Sequence, residues 1–305
     1  MSASQSLNLN DHVFQETQLK NFFRELGARV IQLESGLWHS TGARILQPLI
    51  MKGPMDLSPT DLRTLWKSGS LFLRYPVSVI HSGIPSYIYL VDDKNYDLDF
   101  LPRKQRKETR RALRHCSVEQ IDIGYIIKNG MNLVVDTYRR QGRTIDKWGF
   151  NWWKRNFEIS ERNPVFEAWA AFVGKELGAF RIDFTYRGGF YGDVLFNRHD
   201  LLKYQVMNAL MFVSTREVIR RPEIDHVSYG IRATFGDTLS LNRFKESMGY
   251  KKIGILEKIE AAPFLKPFLK INSVRWLGKF ILAGHSKKSD KAKRILAILD
   301  SIPTD

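Results

Sequence analysis

The sequence predicts a mixed α/β (α+β) fold built on a mostly antiparallel sheet flanked by helices. Three consecutive strand-like runs joined by glycine turns lie between residues 166 and 197, the pattern of an antiparallel meander. Helix-like and strand-like segments alternate on both sides of that meander. The apolar content, 43% of 305 residues with 19 Phe, 11 Tyr and 7 Trp, suffices for one large core or two smaller ones.

In chain order, Gln18 to Leu26 has helical apolar spacing and stops at Gly27, a residue suited to a helix C-terminus. Residues 44–51 and 71–79 read as buried strands despite their internal prolines. Between them Ser58-Pro59 opens a helix, with Ser as N-cap and Pro at the first turn. Residues 86–91 form another strand. Arg103 to Arg114 is a helix with Pro102 at its start, and Leu113 is its one large apolar residue. A strand over 117–123 precedes helices over 131–140 and 148–161. The meander then runs through FEAWAAFVG, ELGAFRIDFTY and GFYGDVLF. An amphipathic helix over 202–218, a short strand over 224–229, a helix over 239–247 stopped by Gly249, and a strand over 250–256 complete the pattern.

Lys and Arg number 47 against 32 Asp and Glu, a formal net charge of +15. Such a field selects polyanionic partners: nucleic acid, anionic lipid or a phosphate-bearing substrate. Two stretches hold most of it. Residues 103–114 carry seven bases and one acid, and residues 251–305 carry twelve bases and five acids. The single Cys116 excludes a disulfide framework and multi-thiolate zinc sites. The seven histidines lack metal-ligand spacing, so no metal is expected. The N-terminal residues have no signal-peptide pattern, and no uninterrupted apolar stretch is long enough to span a bilayer. The expected location is cytoplasmic, with a peripheral position at the inner face of the cell membrane left open.

Three further patterns carry a resemblance. Leu101 to Ala112 has the form L-x-x-K-x-R-x-x-x-R-R-A, and Val173 to Ala179 reads V-G-x-x-x-G-A. A strand closing at Gly230 is followed by Leu241-Asn242-Arg243-Phe244-Lys245-Glu246-Ser247-Met248-Gly249-Tyr250. Their order resembles the FemAB branch of the GNAT acyltransferase superfamily over residues 100–256. The first hundred residues resemble, more loosely, the first of two GNAT-like lobes. The resemblance implies an N-terminal lobe over 1–100, complete or partial, a catalytic domain over 101–256 and a basic amphipathic tail over 257–305. One departure concerns the donor. Acyl-CoA enzymes of the superfamily carry a glycine loop whose backbone N–H groups cradle a pyrophosphate, whereas Asn197 to Tyr204 contains no glycine. FemAB enzymes also lack that loop and take an aminoacyl group from tRNA.

Candidate residues follow from both readings. The resemblance places Phe244 and Lys245 at the acceptor and tRNA-end site, where an ammonium stabilises a phosphate or a developing oxyanion; a solvated helix lysine is the plain alternative. Asp193 lies on the third strand of the meander, where alternation groups it with Tyr191 and Leu195, and it could serve as a base toward an amine. Asp183 shares a strand face with Arg181, so it is either a second base or half of an ion pair. Asn197, Lys203, Tyr204, Gly230 and Arg232 flank the same region as candidate substrate or donor contacts. Arg103, Arg106, Arg110, Arg111 and Arg114 cover more than one helix face and suit phosphate. In the tail, residues 261–284 mix Phe and Leu with Lys and Arg around Trp276, the composition either of an interfacial helix or of a helix that covers the domain core.

The function expected is transfer of an acyl or aminoacyl group to an amine of a cell-envelope or glycan precursor, as in peptidoglycan or polysaccharide biosynthesis. Two alternatives stand beside it: an acyl-CoA-dependent N-acetyltransferase acting on a sugar or amino-acid amine, and a non-catalytic module that binds anionic membrane or RNA. The donor is then aminoacyl-tRNA or acyl-CoA, with no tightly bound cofactor. The partners are an anionic acceptor, tRNA, and an anionic membrane surface met through the tail.

Overall fold

The computed structural model describes residues 3–41, 44–78, 83–231 and 238–269. Its strands are β1 (Val30–Leu33), β2 (Gly36–Thr41), β3 (Ile45–Pro48), β4 (Phe72–Val77), β5 (Ile84–Val91), β6 (Cys116–Ile121), β7 (Phe166–Val173), β8 (Glu176–Tyr186), β9 (Gly189–Asn197), β10 (His226–Ile231) and β11 (Lys251–Ala261). Its helices are α1 (Ala3–Glu25), α2 (Pro59–Lys67), α3 (Arg103–His115), α4 (Ile123–Asn129), α5 (Met131–Arg140), α6 (Lys147–Glu161), α7 (Val206–Ile219), α8 (Thr238–Ser247) and a short α9 (Lys266–Leu269). Contacts divide the chain into two compact units. The first comprises Met1–Leu26, Tyr89–Gly230 and Arg243–Lys252; the second comprises Gly27–Ile88, Ile231–Asn242 and Ile253–Asp305.

In the first unit the expected meander is present. β6, β7, β8 and β9 pair antiparallel in that order, and β10 adds to β9 in parallel. Gly174 and Gly188, at φ +59° and +72°, make the two turns in a backbone region that strains other residues. Alternation along β8 gives each face its own cover. Phe180 meets Phe157 of α6 and Tyr186 bonds Glu16 of α1, while Arg181 meets Ser214 of α7 on the opposite face.

Helix α7 departs from expectation. It is not amphipathic: Val206, Ala209, Leu210, Met211, Phe212, Val218 and Ile219 are buried around most of its circumference. The reason is that α7 lies between the sheet and α3, so both of its sides meet protein. It also starts four residues later than expected. Leu202–Tyr204 forms a 3-10 turn, and Gln205 at φ +56° separates that turn from the helix. Helix α3 needs no large apolar stripe because Gln105, Thr109 and Ala112, spaced at helical intervals, make its buried face.

The strand expected over 117–123 ends at Ile121, because Asp122 stands at the N-cap of α4 and Ile123 and Ile126 turn inward. Between α4 and α5 the backbone crosses close to the sheet. A Cβ at Gly130 would come within 2.9 Å of the Phe180 ring.

In the second unit the sheet order is β1-β2-β3-β4-β11. The β1–β2 hairpin was not visible in the sequence. Its four-residue first strand is too short and too mixed to show a period. Trp38, Leu46, Leu65, Leu73, Tyr75 and Val77 form the core beneath α2. On β4, Arg74 pairs with Glu257 of β11 at 2.6 Å, largely out of water. Helix α2 begins as its sequence requires. The Ser58 side chain accepts from Asp61 N–H at 3.1 Å, and Asp61 accepts from Ser58 N–H at 3.0 Å, a reciprocal capping box. Ser58→Ala removes half of this box and should lower unfolding stability by about 1 kcal/mol, measured by denaturant titration; an unchanged midpoint would show that the cap contributes nothing.

Candidate active site

In the first unit the sheet opens between β9 and β10. β9 and β10 pair only from His226↔Gly189 to Ser228↔Tyr191. Beyond those partners β9 continues to Asn197 and β10 to Ile231 without further pairing to each other. Each strand has a cause for its departure. On β9 the register with β8 shifts between Ile182 and Asp183, so Gly192 and Asp193 together oppose Asp183, a bulge that bends the strand. On β10, Gly230 takes φ +80°, which ends regular extension.

The bulge corrects the alternation read from the sequence. Tyr191 lies on the α1 side, stacked on Phe184 at 5.5 Å. Leu195 pairs with Arg181 on the α7 side. One extra residue in β9 therefore puts Tyr191 and Leu195 on opposite faces and turns Asp193 toward Asp183. Asp193 is exposed to solvent at the bulge, although much protein surrounds it. Enclosure and then the Asp183 charge push its carboxyl up to about 7.

Beneath the bulge, Arg181 and Asp183 are 3% and 0% exposed. Arg181 Nε donates to both Asp183 oxygens at 2.9 and 2.7 Å, and Nη2 donates to Oδ1. Arg181 Nη1 donates to Ser214 Oγ at 3.1 Å. Burial pushes the Asp183 carboxyl up to about 6 against the pull of Arg181. Burial alone would lower the guanidinium, but the facing carboxylate raises it. The two shifts oppose each other, and the pair is intact at neutral pH because the raised carboxyl still titrates below it and the guanidinium forks onto both of its oxygens. Tyr250 completes the group through a 2.6 Å bond with Thr215 Oγ1 and lies within hydrogen-bonding reach of Arg181.

Lys245 on α8 is 3% exposed and stands over two rings, 4.9 Å from the centre of Tyr89 and 4.7 Å from that of Tyr229. The ring faces favour its cationic form. Burial opposes this and lowers the ammonium to about 8. Tyr229 is the first β10 residue past the last paired position, so Lys245 borders the opening between the strands. Its ring meets Tyr250 edge-on at 5.5 Å.

The other candidates divide. Gly230 lies at the opening and Phe244, half-buried, precedes Lys245 on α8. Asn197 is buried away from it and ties β9 to α5, accepting from Arg140 at 3.0 Å while its carbonyl accepts from Thr137. Lys203 and Tyr204 occupy the 3-10 turn before α7, with Lys203 Nζ 5.1 Å from the Tyr204 ring and His115 of α3 on that ring as well. Arg106 is engaged by Asp99 at 3.1 Å and by the carbonyls of Asp99 and Leu101. Arg103, Arg110, Arg111 and Arg114 are exposed. Arg232 and the tail from 270 onward lie outside the described residues. Tyr89, Tyr229, Tyr250 and His226 were missed; His226 lies 3.0 Å from the Tyr191 hydroxyl. The available signal was a tyrosine at or near a strand end in each segment that reaches the opening.

No family model matches this chain, and no curated protein does. Solved structures do. The C-terminal domain assigned to a lysylphosphatidylglycerol synthetase of Agrobacterium fabrum superposes with TM-score 0.57 at 13% identity, covering 85% of this chain and 93% of that one. FemX gives 0.55 at 11% identity, with 83% and 93% covered. A conserved protein of unknown function from Bacteroides thetaiotaomicron gives 0.50 at 13%, with 80% and 91% covered. The chain thus has a fold like that of FemX and of the synthetase domain, as the resemblance in its sequence led one to expect.

Asp183→Asn leaves the Arg181 charge buried without its partner and should cost about 3–5 kcal/mol. Replacing both residues, Arg181→Met with Asp183→Leu, should recover most of that loss in equilibrium unfolding. Equal stability of the single variant and the native protein would exclude a structural role for the pair.

Proposed function

We propose that the protein is an acyltransferase that forms an amide by moving an aminoacyl group from an ester donor to an amine of a cell-envelope precursor. The observation that carries this reading is geometric: the β9 bulge sets Asp193 beside Asp183, and Lys245 stands over the Tyr229 ring where β10 stops pairing with β9; surrounding protein raises the carboxyl and burial lowers the ammonium. Amide formation from an ester needs a base for the attacking amine and a positive charge for the oxyanion of the tetrahedral intermediate. Asp193 takes the amine proton as the new C–N bond forms. Lys245, still protonated near neutrality, stabilises the oxygen until the C–O bond to the donor breaks, and the donor's oxygen leaves as a hydroxyl with the proton that Asp193 took. Tyr89 and Tyr229 fix Lys245 and keep it dry enough for its charge to act strongly. A neighbour in fold is named for lysylphosphatidylglycerol synthesis, which supports an aminoacyl donor.

The entrance to α7 supports the same donor. A pyrophosphate cradle needs free N–H groups there. The N–H groups of Leu202, Tyr204 and Gln205 are instead spent on the carbonyls of His199, Leu201 and Leu202. Arg198 is held by Asp200 and Glu176 at 2.6 and 2.8 Å. These three N–H groups and the Arg198 guanidinium are therefore already engaged and do not form such a cradle. The exposed arginines of α3 offer the donor's phosphates a contact.

Transfer from aminoacyl-tRNA to an amine acceptor, followed against pH, tests the reading. Asp193 acts deprotonated, so kcat/KM rises as pH passes about 7; Lys245 acts protonated, so the rate falls above about 8. Asp193→Asn should remove the rising limb and lower the rate about 10²–10⁴-fold, and Lys245→Ala should remove the falling limb. Full activity in both variants would defeat the mechanism. Turnover with acyl-CoA but not aminoacyl-tRNA would replace the donor, and binding of tRNA without turnover under all conditions would leave a binding module.

A further inference from the structure

The turn joining α5 to α6 exposes an indole among positive charges, away from the groups assigned above. Trp148, in the first turn of α6, is 75% exposed, the most exposed large apolar side chain among the described residues. From Arg139 to Trp148 the sequence is RRQGRTIDKW, four bases against the single acid Asp146. Arg139, Arg140, Arg143 and Lys147 are all exposed. Asp146 is occupied as N-cap, accepting from Gly149 N–H at 2.7 Å.

The turn is held firmly. Gly142 takes φ +67°, and the Arg143 N–H donates to the Tyr138 carbonyl at 2.9 Å. The Arg143 guanidinium stacks 4.3 Å from the Tyr138 ring, and the Tyr138 hydroxyl accepts from Trp153 Nε1 at 3.0 Å. Trp153 in turn packs edge-on against Phe196 of β9 at 5.0 Å. An aromatic column thus runs from the sheet to the base of the turn. Trp148 stands beyond it, where packing against the protein does not account for its side chain.

We propose that this turn is a docking surface for a bilayer bearing anionic headgroups. An indole combines an apolar body with one N–H donor and prefers the boundary between headgroups and acyl chains. Arginine and lysine around it keep their charges at the phosphates while their stems follow the apolar layer. A folded protein partner would need a buried patch of about 1,000 Å² or more, and a lone indole ringed by cations does not offer one. Single-stranded nucleic acid is held in grooves that present successive aromatic platforms. Here Trp152, one turn further along, is half-buried and packed edge-on against Trp153 at 4.8 Å. The surface therefore fits a lipid layer better than either. This inference does not rest on the transferase reading.

The test is co-sedimentation of the full chain with vesicles of phosphatidylcholine alone and of phosphatidylcholine with about one third phosphatidylglycerol, at physiological salt. The native protein should sediment with the anionic vesicles only. Trp148→Ala, and separately Arg139→Gln with Lys147→Gln, should each weaken that binding about tenfold or more. Their melting temperatures should not change, since these side chains are exposed. A Thr144→Cys variant labelled with an environment-sensitive fluorophore should shift to the blue on anionic vesicles; Cys116 is buried. Three outcomes would overturn the proposal: no binding to anionic vesicles; binding unchanged in both variants but lost when the tail lysines are neutralised; or variants that lose tRNA binding, or a second copy of the chain, while vesicle binding stays intact.

Discussion

Two opposite charges with no water to share them constrain the first unit more than any other contact. Arg181 and Asp183 lie two residues apart on β8, point to the same face, and satisfy one another through the guanidinium fork. Without that geometry, burial of either charge would be prohibitive. Its field extends past the pair. The carboxylate of Asp183 is the charge that Asp193 feels across the bulge, and the guanidinium is met by Ser214 of α7 and by Tyr250 from the turn between α8 and β11. A structural ion pair and a functional carboxylate are therefore neighbours in one electrostatic system, and altering one alters the other.

The same economy applies at Lys245. An ammonium placed between two phenol rings is stabilised by their faces, while the loss of water lowers its affinity for the proton. The rings are supplied by Tyr89 and Tyr229, residues on different strands, so the position of the lysine reports on the arrangement of several elements. The opening between β9 and β10 arises from backbone geometry alone: one inserted residue on one strand and one left-handed glycine on the other.

Much of this was legible in the sequence, for reasons that differ by element. The meander showed itself because its strands are long, apolar and separated by glycine turns. Helix α2 was marked by Ser58 and Pro59, and the Phe244-Lys245 pair by its place between Gly230 and Gly249. The bulge was hidden, because alternation assumes one residue per pairing position and gives no sign of an extra one. The short β1–β2 hairpin and the seven-residue α4 fall below the length at which a period can be recognised. Helix α7 was read as amphipathic because sequence shows apolar residues but not that a second helix covers the far side. The tyrosines around Lys245 converge from residues 89, 229 and 250, a proximity that only folding creates.

The composition of the first unit also bears on how the chain comes to be folded. Its opening segment, residues 1–26, reaches across the chain: Glu16 bonds Tyr186, Gln15 bonds Arg187, and Gln18 bonds Asn163. Its closing segment, residues 243–252, delivers Lys245 and Tyr250. During synthesis from the N-terminus, the first helix emerges long before the strands it covers, and the lysine arrives after nearly all of them. Such distant closures are slow, because the loop entropy is lost before the contacts form. The chain can therefore collect most of its sheet while the would-be reactive site stays incomplete, and Leu19 and Phe22 of α1 stay uncovered until β7, where Phe166 meets Phe22, has been made.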